Sequence, residues 1–461
     1  MSTATLPASH HPNAMLSSTD DRHGWGLVLL VAVVATLFVR PADLLPALQA
    51  WPIYQFLIIG CLVVAYRAML RQLSFKTIAS QPVTACVLLL LMSVTLSHLA
   101  HGFLWAARAS TYEVSKLIAL FLLIVGLVNT PGRLFLFVKC LSVAITFVAL
   151  LALLDRYELY SIGALESIED RMRTVDQASV KVDRIRGTGI FNDPNDFGMI
   201  LVTGLILCAS SFMRPGAGIR RYVWLTPIGI LMATLALTHS RGALLSLAAV
   251  VPAAVVYRLG WKYAVSSLFI LPGLAMFFSA RMTNVQAITD GTGQSRIQIW
   301  SDCLVLWRQY PIFGSGEGML VEEIGVVAHN SFLHCFVELG AVGGTAFAAS
   351  FMATLLGLWS LRDRFWDPES EHSAPELHRL AHLRMFLFAA VSAYAIGITT
   401  ISRQFVAPTF LILGLGTTAQ LVCPKSLPTL RLNNRFFVMC MMCGIGVLLI
   451  CQVAVRVFNQ F

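Results

Sequence analysis

The sequence is short of charge: Asp, Glu, Lys and Arg make up 12% of its 461 residues, about half of the roughly 25% that an ordinary soluble domain carries. It also lacks any long polar stretch that would separate one folded body from another, while 57% of it is hydrophobic and its mean hydropathy is +0.74. These absences exclude a soluble multidomain protein. What they leave is an all-α, polytopic transmembrane helical bundle, one domain rather than several, because a spanning helix needs roughly 20 mostly apolar residues and such runs recur about 12 to 14 times.

Other absences narrow the chemistry. Cys440 and Cys443 form a CxxC, but it lies inside the apolar run FFVMCMMCGIGVLLI and no second ligand pair follows at zinc-site spacing, so a metal or redox centre is not indicated there. The net charge of +9 is scattered through short loops beside apolar runs, which is the pattern of topology signals and anionic-lipid contacts rather than of a nucleic-acid surface. Residues 1–24 are polar and His-rich, and the run after them has neither a basic n-region nor a small-residue cleavage site. A disordered tail followed by a first anchor is therefore expected, not a cleaved signal.

The membrane domain is expected over residues 25–455, with a short tail at 456–461. Its first span is Trp25–Val39, running on past Arg40 and Pro41, its ninth is Tyr263–Ser279 and its last Phe436–Val455. Two connections are long, 155–196 and 280–331, and the second is expected to be partly helical. With a cytoplasmic N-terminus, the inside loops hold Arg67, Arg71, Lys76, Arg133, Arg214, Arg220, Arg221, Arg258, Lys262 and others, whereas the short outside loops hold few basic residues, among them Arg40, Arg108 and Arg403. Lys and Arg favour the cytoplasmic side, so both long connections are expected outside, with Arg456 as minor contrary evidence. In a bacterium that compartment holds no nucleotide sugar, and chemistry there needs a substrate energised in advance.

Four segments carry candidate residues. In RIRGTGIFNDPNDFGMILVTG, Asn192, Asp193, Asn195 and Asp196 precede an apolar helix; Asx followed by Pro is a helix start, and the alternative of a metal site lacks further oxygen ligands. Arg184 and Arg186 just upstream are solvated loop charge or ligand contacts. In THSRGALLS, Arg241 lies between two apolar runs; it is either a snorkelling side chain or a phosphate grip, for which the planar guanidinium fork is suited. In TGTGQSRIQIWSDCLVLWRQYPIFGSGEG, Arg296 belongs to an amphipathic helix beside the membrane, and GSGEG, which has no Lys-Ser/Thr ending, reads as a tight turn. In AHNSFLHCFVELG, Asn330 begins a helix beside His329, and His334 and Glu338 share one helical face at i,i+4.

Taken in order, GTGIFNDPNDFG, THSRGALLS, SRIQIW with PIFGSGEG, and AHNSFLHCFVELGAVGG resemble the O-antigen ligase and polymerase superfamily, over roughly residues 184–344. The resemblance implies a membrane glycosyltransferase of the bacterial inner membrane with its site facing the exterior. It implies an undecaprenyl-diphosphate-linked oligosaccharide donor, a glycan or lipid acceptor, surrounding membrane lipids and no metal or other cofactor. Arg241 and Arg296 match the family's diphosphate-binding arginines, with Arg186 nearby, and His329 matches its catalytic base. The short segment between Arg296 and His329 departs from many ligases, which leaves a repeat-unit polymerase or a protein O-glycosyltransferase as alternatives. A lipid-linked glycan flippase would also need a basic cavity, but would show charged or helix-breaking positions in mid-membrane.

Overall fold

The structure, a computed structural model, describes residues 17–160, 165, 168–173, 179–263, 292–362, 375–423 and 430–458. Its long helices are α1 (Ser17–Val39), α2 (Ile53–Gln72), α3 (Pro82–Leu99), α4 (Leu104–Leu127), α5 (Pro131–Arg156), α6 (Pro194–Phe212) and α7 (Leu225–Thr238). They continue with α8 (Arg241–Leu259), α9 (Thr292–Gln309), α10 (Ser331–Ser360), α11 (Pro375–Gly397), α12 (Ala407–Leu421) and α13 (Asn434–Phe458). Proline stands in the first turn of α3, α5, α6 and α12, where the missing N–H costs nothing.

Among the described residues ten helices are long and apolar enough to cross a membrane, and Gly24–Val39 and Ala407–Leu421 are shorter apolar helices. Helix is what such runs must form, since hydrocarbon offers no partner to an open backbone N–H or C=O. The best-buried spans are α6 and α11, each 72% buried, whereas α2 and α13 are 17% buried and leave most of their apolar surface exposed. The expected ninth span, Tyr263–Ser279, lies almost wholly outside the described residues, as do residues 1–16.

Three features differ from the sequence expectation. Helix α1 begins at Ser17, inside the segment assigned to a tail; Ser, Thr and Asp at 17–21 are residue types that open helices. It does not run on through Pro41: Arg40 takes a left-handed conformation (φ 44°) and a four-residue turn, Pro41–Leu44, follows, because proline disfavours a helical residue before it. The first long connection contains an antiparallel hairpin, β1 (Ile168–Arg173) and β2 (Ser179–Arg184), with Ile168 opposite Arg184. The second connection does contain the expected amphipathic helix, α9.

Helix α10 is broken at Gly340, whose φ of 65° and ψ of −165° belong to a region only glycine occupies readily. The segment 311–316 threads into the break. Ser315 N–H donates to the Val337 carbonyl (3.0 Å) and Gly316 N–H to that of Glu338 (2.9 Å), while Ala341 N–H donates to the Pro311 carbonyl (2.8 Å). The backbone groups freed by the kink are thus paired, as they must be near membrane depth. PIFGSGEG is therefore neither a phosphate loop nor a simple turn; its backbone completes a helix. A Cβ on Gly340 would overlap the Ile312 carbonyl, and one on Gly314 would overlap Glu338. Gly340→Ala should accordingly lower stability by about 2 to 4 kcal/mol, combining backbone strain with overpacking, as read from thermal unfolding of the detergent-solubilised protein.

Candidate functional site

One end of the bundle gathers the starts of α6, α8, α10 and α12 and the ends of α7 and α11, and the first three of these starts carry a side-chain cap. Asp193 caps α6, its carboxylate accepting from the N–H groups of Asn195 (2.7 Å) and Asp196 (3.3 Å). Ser240 caps α8 by accepting from Ala243 N–H (3.3 Å). Asn330 caps α10, accepting from Phe332 (3.1 Å) and Leu333 (3.2 Å). These bonds hold helix starts whose first N–H groups have no partner within the helix.

The caps are tied to one another. Asn195 Oδ1 accepts from Ser240 Oγ (2.9 Å) and from Arg184 Nη2 (2.9 Å), and Arg184 Nε donates to the Thr238 carbonyl (2.9 Å). Arg184 is therefore a tether between the hairpin and two helices. Arg186, two residues on, is half-buried, with its Nε enclosed and unpartnered. Asn192 is exposed beyond a short 3-10 turn. Asp193 serves as a cap, and Asp196 pairs with an arginine rather than joining Asp193; among the described residues no three His, Cys, Asp or Glu side chains converge as a metal site requires.

Arg241 opens α8 directly after its cap and is half-buried. Gly242 beside it packs against Thr400 Oγ1, a contact that leaves no room for a side chain. Arg296 projects from α9, which is anchored where Trp300 Nε1 donates to the Ala328 carbonyl (2.8 Å), one residue before His329. Arg241 and Arg296 come from segments 55 positions apart, yet they are close enough that, after burial, the Arg241 charge is what lowers the Arg296 pKa. Two like charges brought together in a partly buried place favour an anion between them.

His329 is half-buried and left-handed (φ 50°). Burial lowers its pKa below the ordinary value, and the guanidinium groups of Arg296 and Arg403 push it further down, against a weaker pull from Asp193. Both effects favour the neutral imidazole, the form that accepts a proton. His334 and Glu338 pair as their spacing suggested (Nε2 to Oε1 3.0 Å), both nearly fully buried. His334 Nδ1 also meets Ser402 Oγ (2.9 Å), and Glu338 Oε1 accepts from Gly318 N–H (2.9 Å). This pair joins α10 to the inserted loop and, through Ser402, to the connection that carries Arg403.

Sequence reasoning missed Arg403 as a member of the site. It is ion-paired to Asp196, 207 positions away, and its own backbone N–H donates to Ser331 Oγ (2.8 Å). The available signal was a single arginine in the otherwise uncharged connection TTISRQFVAPT. Arg403 and Asp196 also border a cavity of about 240 Å³ that is otherwise lined by apolar side chains, among them Leu37, Leu117, Met199, Ile398 and Phe405.

Residues 227–348, the stretch that carries Arg241, Arg296 and His329, match the O-antigen ligase family. The match supports a relation to the O-antigen ligase and polymerase superfamily and covers about a quarter of the chain. The chain is also similar to an O-antigen polymerase of Salmonella muenchen, 25% identical over 177 residues. That alignment covers 34% of this chain and 44% of the Salmonella protein, so less than half of the relative's length is matched. The stretch that matches the O-antigen ligase family begins after Asp196 and ends before Arg403.

Proposed function

We propose that this membrane protein transfers a glycan from an undecaprenyl-diphosphate-linked donor to an acceptor hydroxyl, in the manner of an O-antigen ligase, in the bacterial inner membrane and on its outer side. The observation that carries this reading is that Arg241 acts on Arg296, and Arg296 in turn on His329, whose neutral form burial and the nearby cations favour. The two guanidinium groups hold the diphosphate. His329 takes the proton of the acceptor hydroxyl as that oxygen attacks the anomeric carbon, and the bond from that carbon to the diphosphate oxygen breaks, leaving its electron pair on the lipid diphosphate. Negative charge grows on the leaving group, and prearranged cations stabilise it more as it develops, which is the work a metal would otherwise perform. The apolar cavity at Arg403 suits a donor that carries a hydrocarbon chain next to its phosphates.

Activity should survive EDTA. Purified protein given lipid-linked oligosaccharide and a glycan acceptor should elongate the acceptor at an unchanged rate after chelation, and loss of transfer restored by Mg or Mn would overturn the metal-free assignment. A repeat-unit polymerase is the second reading, favoured by the similarity to the Salmonella polymerase. Polysaccharide from a deletion strain separates the two: single repeats mark a lost polymerase, unattached long chains a lost ligase.

A further inference from the structure

The connection between α11 and α12 is stitched to the start of α10 directly after His329. Ser331 N–H donates to the Ile398 carbonyl (2.9 Å), Ser331 Oγ donates to that of Ile401 (2.7 Å), and Arg403 N–H donates back to Ser331 Oγ (2.8 Å). His334 adds its bond to Ser402. The Arg403 backbone therefore cannot move relative to His329 without breaking several buried hydrogen bonds. Its side chain is fixed as well: Nε is on Asp196 Oδ1 and Nη1 donates to the Ser402 carbonyl (3.1 Å). Among the described residues Nη2 has no hydrogen-bond partner. The side chain is 34% exposed and borders the apolar cavity, and Asp196 borders the same cavity at 16% exposure.

We propose that Arg403 is a third substrate-binding residue of this site, donating from Nη2 to a phosphate oxygen of the lipid diphosphate, and that Asp196 is the positioning residue that aims it. This rests on the proposed transfer reaction and extends it to a residue outside the matched family stretch. An arginine held on one edge by a carboxylate presents the other edge in a fixed direction, so little rotamer freedom remains to be lost when ligand arrives. A snorkelling arginine has no need of such a clamp. Arg403 also acts on His329 from a distance: the groups that face His329 are Arg296 on α9, Arg403, Asp193 before α6 and His334 on α10, and Arg403 is one of the two cations that favour the neutral imidazole.

The test uses the full-length protein in phospholipid vesicles, with undecaprenyl diphosphate as probe. Arg403→Gln should weaken binding about ten- to a hundredfold, as expected for loss of one hydrogen bond to a charged group, and should raise the titration midpoint of His329 followed by NMR on 13C-histidine-labelled protein. Arg403→Lys keeps a charge near His329, so its midpoint should stay in place while binding still falls. Asp196→Asn should weaken binding less than Arg403→Gln, because the guanidinium remains but is no longer aimed. Unchanged binding in a folded Arg403→Gln protein would overturn this proposal alone. Failure of the wild-type protein to bind the probe at all would overturn the transfer reaction with it.

Discussion

His329→Ala should lower turnover by about 10² to 10⁴, the range for loss of a general base, while the affinity for lipid-linked donor persists. The two readouts separate because the base acts on the acceptor's proton, whereas the donor is held by the arginines. The pH dependence gives an independent check. A base works only when unprotonated, and burial together with Arg296 and Arg403 places the His329 pKa below the ordinary value of the imidazole. The acid limb of the wild-type profile of kcat/KM should therefore fall below about pH 6.5, the unperturbed histidine value, and it should disappear in the alanine variant. Near-normal turnover in that variant would mean that another group takes the proton, and with it the proposed role of His329 would be lost.

Arg241→Lys and Arg296→Lys should each weaken donor binding by about ten- to a hundredfold, since lysine keeps the charge but not the planar fork that donates two parallel hydrogen bonds to phosphate. The proximity of the two guanidinium groups sharpens this expectation. The Arg241 charge already disfavours the charged form of Arg296, and a bound phosphate would offset that repulsion. Direct binding of lipid-linked oligosaccharide to protein matched for expression and thermal stability would measure it. Arginines that merely anchor helix ends would tolerate lysine, and unchanged affinity in both variants, with normal turnover in His329→Ala, would favour a flippase over a transferase.

Much of this was legible along the chain because it depends on local chemistry. Asp193 and Asn330 announce helix starts, and the structure uses both as caps. The i,i+4 spacing of His334 and Glu338 forecasts their pairing, since a helix puts such residues on one face. The hairpin at Ile168–Arg184 was not legible: its strands are short and charged, IEDRMR and SVKVDR, with little of the apolar alternation that marks a strand. Nor was the role of GSGEG, whose glycines look like a turn until the break at Gly340 is placed opposite them.

The sequence by itself determined that the chain is a helical membrane bundle, because apolar runs of spanning length have no other stable form in hydrocarbon. It also determined which segments carry candidate chemistry, because charged residues beside such runs are costly enough to need a reason. Only the tertiary structure decided which of those residues meet. Arg241, Arg296, His329 and Arg403 lie on separate segments, and what brings their charges to bear on one another is the convergence of helix ends held by Asn195, Ser331 and the Asp196 ion pair. Such contacts leave no trace in spacing, since packing joins positions that the chain separates by more than 200 residues, as with Asp196 and Arg403.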